Sequence, residues 1–179
     1  VDSLKRIQIG PESAGASPGP AAYGLGGEHP TVTDANILLG YLNPSYFLGG
    51  ERKLHPDLSK SAISKFIAEP LGIKMEQAAN GIIQLVNSQM ANGVRKVSIE
   101  QGFDPRDAAL VVAGGAGPLH ACGIAEELGL DLIFIPKASS VLCATGMLTT
   151  DLRHDLLRFA SIFLDEETDC VEQLNSLRD

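Results

Sequence analysis

The sequence predicts an α/β fold, and three observations carry that expectation. A strand, a glycine turn, a helix and a second strand follow one another between residues 108 and 135, a long amphipathic helix precedes them, and a Gly- and Pro-rich segment opens the chain. The length of 179 residues suits one domain or a large part of one. Hydrophobic residues at 44% and charged residues at 20% are close to globular averages, so a buried core is expected. Fourteen Lys and Arg against 22 Asp and Glu give a net charge of −8, which excludes the basic field that holds a phosphate backbone and argues against nucleic acid. Most of that acidity lies in the last 29 residues, where 3 basic and 8 acidic side chains give −5. No apolar run is long enough to predict a membrane span. Cys122, Cys143 and Cys170 are far apart and form no C-x-x-C pair, which predicts a reduced, cytoplasmic setting and no zinc site.

Taken in order, Leu4 to Ile9 alternates weakly and predicts the end of a strand. Residues 1 to 50 carry 9 Gly and 5 Pro, so a long, shaped loop is expected there, interrupted by a helix-like stretch from Asp34 to Leu42. Asp57 to Glu69 and Lys74 to Gln101 predict helices, separated by Pro70 and Gly72. In the second helix, Ala78, Ala79, Ile82, Ile83, Leu85, Val86, Met90, Val94 and Val97 mark an apolar face. Ala108 to Ala113 is a short apolar run without alternation, the signature of a strand buried on both faces. Leu119 to Leu128 follows as a helix closed by Gly129, and Leu132 to Ile135 as a second buried strand. Val141 to Thr149 suggests another helix and Arg153 to Leu164 a further strand.

The candidate chemistry is concentrated in a few places. Gly114-Gly115-Ala116-Gly117-Pro118 joins a strand to a helix, an arrangement that lets backbone approach a ligand and presents unpaired N–H groups to an anion, so a nucleotide is its natural guest. The pattern is neither G-x-x-x-x-G-K-[ST] nor G-x-G-x-x-G, and such a turn can also be a tight connection only. His120 falls in the first helical turn, where the helix dipole favours a neutral imidazole able to donate to a substrate, ligate a metal or simply hold the turn. Thr31, Thr33, Asp34 and Asn36 form a polar set at a helix entry. Asp34 either caps that helix or serves the active site, orienting a reacting group or holding Mg2+ through water. His154 with Asp151 and Asp155 reads equally as an ion pair at a strand edge.

Three blocks stand out in order: Gly10 to Gly24 (GPESAGASPGPAAYG), Pro30 to Asn36 (PTVTDAN) continuing to Phe47-Leu-Gly-Gly50, and Gly114 to Ala121 (GGAGPLHA) continuing to Asp151-Leu-Arg-His-Asp155. Together they resemble the hydantoinase A and 5-oxoprolinase family, which includes nucleotide-binding subunits of acetone and acetophenone carboxylases. The resemblance implies part of an actin/hexokinase/Hsp70-like (ribonuclease-H-like) ATPase fold. Residues 1–164 would be the carboxy-terminal portion of the ATPase core, and 165–179 an acidic helical tail opening a following region.

Within that resemblance Gly114, Gly115, Gly117 and Pro118 fall on the adenosine motif, and Asp34 and His120 are the catalytic candidates. The implied cofactors are ATP and Mg2+. The two Gly-rich hairpins that hold phosphates and magnesium in the family have no counterpart in this chain, so its missing half is an expected partner, from the same gene or a separate chain. A hydantoinase B-type subunit is a second expected partner in a hetero-oligomer. The implied activity is an ATP-dependent amidohydrolase that phosphorylates an amide oxygen to open a small cyclic amide. The alternatives are a subunit of an ATP-dependent ketone carboxylase, or a noncatalytic piece completing a larger assembly. The chain alone is expected to be inactive, since phosphoryl transfer rests on positioning and charge neutralisation.

Overall fold

The computed structural model describes residues 1–155, together with Asn175. It divides into two units, Val1–Thr145 and Gly146–Asp179. The boundary expected at 164/165 lies outside the described residues, as does most of the strand expected over Arg153 to Leu164. In the second unit the chain turns through bonds from Thr149 N to Gly146 O and Thr150 N to Met147 O. Arg153 there donates to Asp155 at 2.7 Å.

The first unit is mixed α/β and mostly helical. Its order is α1 (Val32–Leu38), α2 (Pro56–Ile63), α3 (Glu69–Leu71), α4 (Met75–Ser98), β1 (Leu110–Val111), α5 (Gly117–Leu128) and β2 (Ile133–Phe134), with α6 (Leu142–Met147) running across the unit boundary. Pro56 starts α2 because its missing N–H is one of the donors a first turn leaves unpaired anyway. A wide turn, Ser64–Ala68, carries α2 into α3, and Gly72 at φ +66° ends the run.

The core forms where α1, α2 and α4 meet. Ala35, Ile63, Ile67, Ala68, Ala78, Ala79, Ile82 and Ile83 are buried there, and the small alanines allow the helices a close approach. The apolar face expected on α4 is buried in its first half, whereas Val97 near its end is exposed. A smaller cluster of Ala22, Ile37 and Leu54 packs the glycine-rich loop onto the other side of α1.

Two expectations are corrected. Leu4 to Ile9 forms no strand: Asp2 accepts from the amides of Leu4 and Arg6 and from the side chains of Arg6 and Gln8, which winds the segment into a tight turn. Ile7 and Ile9 pack instead against the core. The strands at 108–113 and 132–135 shorten to two residues each, paired in parallel with Leu110 opposite Ile133 and Val111 opposite Phe134. They are not buried on both faces: α5 packs against β2. Val111 is 59% and Phe134 57% exposed on the other side.

Candidate functional site

The turn between β1 and α5 has three glycines with three different reasons to be glycine. Gly114 sits at φ +89°, a left-handed conformation that a side chain disfavours, and its amide donates to Ser139 O at 2.7 Å. Gly117 opens α5 against the strand, where an added Cβ would come within 3.0 Å of Val112 Cγ1. Gly115 has neither constraint: its backbone is not left-handed, and a Cβ there would meet nothing within 4 Å among the described residues. The N-cap of α5, Ala116, supplies no side-chain hydrogen bond, and Pro118 follows in the first turn without an N–H. Among the described residues the amides of Gly115 and Ala116 have no hydrogen-bond partner. The turn therefore offers open space and free donors at the positive end of a 12-residue helix, which suits an anionic or hydroxyl-rich ligand.

Asp34 is placed quite differently. It is fully buried, and five donors converge on its carboxylate. Oδ1 accepts from Ala22 N at 2.9 Å and Ser59 Oγ at 2.7 Å. Oδ2 accepts from Thr31 N at 2.9 Å, Thr31 Oγ1 at 2.7 Å and Ala21 N at 3.3 Å. Thr31 Oγ1 in turn accepts from Asp34 N, closing a reciprocal cap on α1. A carboxylate has about four lone-pair positions. Asp34 has all of them engaged by the protein, tying the Ala21–Tyr23 turn, the start of α1 and the middle of α2 to one point.

His120, 5% exposed, lies in the first part of α5 between α1 and α4. Its Nδ1 is 2.8 Å from Asn87 Oδ1, and its Nε2 is 3.5 Å from Asn36 Nδ2. With Nδ1 protonated, the ring donates to Asn87 and accepts from Asn36, which makes it the neutral tautomer. Burial pushes its pKa below the ordinary value, in agreement. Asn36 is 3% exposed and its Oδ1 has no hydrogen-bond partner among the described residues.

The structure thus brings Asn36 and His120 together, and keeps Asp34 on a separate knot of the same helix. Sequence reasoning missed Ser59 and Asn87. Ser59 gives no local signal, being 25 residues from Asp34 in an ordinary helix. Asn87 was legible in principle, because it stands four residues from Ile83 on the otherwise apolar stripe of α4. No group of three or more His, Cys, Asp or Glu among the described residues is arranged to hold a metal ion.

Comparison with known proteins agrees with the three sequence blocks. Residues 1–156 match the family model described as hydantoinase/oxoprolinase. The chain is 51% identical over 175 residues to the caprolactamase subunit alpha of Pseudomonas jessenii, covering 98% of this chain and 25% of that protein. It is 40% identical to the acetophenone carboxylase gamma subunit of Aromatoleum aromaticum, covering 83% of this chain and 20% of that one. In three dimensions it resembles the crystal structure of the ATP-dependent caprolactamase of Pseudomonas jessenii, with a TM-score of 0.77 over 99% of this chain and 26% of the other. The chain spans a quarter or less of the length of these curated relatives.

Proposed function

The chain belongs to the hydantoinase/oxoprolinase family, and on that footing we propose that it is the nucleotide-binding portion of a longer ATP-dependent amidohydrolase acting on small cyclic amides. Gly115 carries the reading. The described part of the fold has no use for a glycine there, whereas a ligand resting on the backbone has. The free amides of Gly115 and Ala116 and the uncapped start of α5 are the donors such a ligand would meet. Bound ATP would supply phosphorylation of the amide oxygen. This chain's own residues bind and orient the nucleotide, with Gly114, Gly115, Gly117 and Pro118 forming the floor of the site. Magnesium, in this reading, is held by the remainder of the polypeptide.

The open β1–β2 pair supports the idea that the chain works only as part of something larger. Parallel strands are stable when both faces are covered, and a two-stranded sheet is too small to stand alone. Further strands and a covering layer would complete an actin-like lobe, and a hydantoinase B-type subunit would finish the hydrolysis. Amide opening is preferred to ketone carboxylation because the caprolactamase relative is more similar, 51% against 40% identity. The geometry favours a structural cap over a catalytic part for Asp34, since its carboxylate has no lone pair to spare.

The test is calorimetry of ATP binding to the full-length enzyme carrying Gly115→Val. Loss of nucleotide affinity at an unchanged melting temperature is the expected result. Unchanged affinity with the fold intact overturns the assignment.

A further inference from the structure

We infer that Asn36 is a positioning residue, which holds the nucleotide turn in register with the Gly- and Pro-rich loop by gripping His120. The inference rests on the reading of the Gly114–Gly117 turn given above and goes beyond it. Helix α1 carries two polar side chains two residues apart, both buried, and each grips a different part of the molecule. Asp34 takes the amides of Ala21 and Ala22. Asn36 reaches His120 of α5, which is braced from α4 by Asn87. His120 stands three residues beyond Gly117, so any shift of the ring moves the first turn of α5 and the free amides that precede it.

The strongest evidence is an imperfection. Among the described residues Asn36 leaves its Oδ1 without a partner in a buried setting, which costs stability and which an apolar residue of similar shape would avoid. What the amide supplies in return is one donor, Nδ2–H, directed at the ring nitrogen that Asn87 does not engage. An unpaired buried polar atom retained beside a candidate site is where a local rule is expected to yield to function. The ring is met from α1 by Asn36 and from α4 by Asn87, both uncharged, so the alignment rests on hydrogen-bond direction alone.

Steady-state kinetics of the full-length enzyme with Asn36→Ala test this, with ATP as the varied substrate and melting temperature measured in parallel. A turn that binds ground state and transition state alike, once loosened, should raise the KM for ATP about tenfold and leave kcat within about twofold. The melting temperature should shift little, because loss of the orphaned oxygen is offset by the ring nitrogen left without its donor. An unchanged KM with a lower melting temperature would mean that Asn36 only stabilises the fold, and overturns the inference. If the variant does not fold, nitrogen NMR of His120 in the unmodified enzyme decides: its ring signals should shift on saturation with ATP and not with inorganic phosphate alone, and immobile signals overturn the inference. The Gly115→Val experiment separates the two levels. If that variant keeps its ATP affinity, the turn assignment and the coupling fall together, whereas if it loses affinity while Asn36→Ala keeps it, only the coupling falls.

Discussion

Asp34 and Gly115 are the central residues of two motifs that look equally functional on paper, and the structure treats them as opposites. The first is fully buried, with five donors on two oxygens, and gathers a loop and two helices around itself. The second is exposed and, among the described residues, touches nothing that a side chain would displace and has an amide free to bond elsewhere. A group whose bonding capacity is spent inside the protein stabilises. A group whose capacity is left over is available for chemistry with something else.

The largest expected effect would come from emptying the saturated site. Asp34→Ala strands the amides of Ala22 and Thr31 and the hydroxyl of Ser59, and should cost about 3–5 kcal/mol, because each buried donor left without an acceptor costs about 1–3 kcal/mol. Denaturant unfolding of the full-length protein measures it. A loss near 1 kcal/mol, with turnover down by orders of magnitude, would reverse the comparison and return Asp34 to the active site. Next in size is Gly115→Val, expected to weaken ATP binding about a hundredfold, equivalent to ~2.7 kcal/mol, at constant stability. Gly114→Ala and Gly117→Ala sharpen the contrast within the turn itself. The first forces a side chain into a left-handed conformation and the second crowds Val112, so each should cost about 1–2 kcal/mol in unfolding experiments where Gly115→Ala costs almost nothing.

The smallest effect is a pH dependence. His120 has a folded pKa below its ordinary value of 6.5, owing to burial, so the unfolded chain takes up the proton first. Its contribution to stability is complete above pH 6.5 and is lost as the pH falls through that value to the lower folded one. His120→Gln cannot protonate, and the difference between its stability profile and that of the unmodified enzyme should shrink on acidification over that interval. A constant difference would show that the ring is not held neutral.

Much of this was legible in the sequence, for reasons that differ by element. Helix α4 was readable because its apolar spacing is local, and the turn at Gly114 because glycine has few reasons to cluster between a strand and a helix. The family was readable from three blocks in order, and the family match over residues 1–156 agrees. Two things were not readable. The strand runs are apolar enough for a buried sheet, but what covers a sheet lies outside a local pattern, so the exposed Val111 and Phe134 could not be foreseen. The surroundings of Asp34 and His120 are set by Ser59, Asn36 and Asn87, between 25 and 84 residues away, and no spacing rule connects such positions.

Gly123 has a consequence for how this protein can change over generations. Helices α4 and α5 lie so close there that a Cβ at 123 would overlap Asn87 Nδ2. Adding a methyl group at 123 therefore pushes on the amide that braces His120, while shortening Asn87 first removes the obstacle along with the brace. The two positions are strongly coupled, and the order of substitution matters. A lineage that exchanged Asn87 for a smaller residue could accept a larger one at 123, and an asparagine restored afterwards would have to swing its amide aside, away from the ring it had braced. At this crossing the history of substitution turns on a single carbon atom.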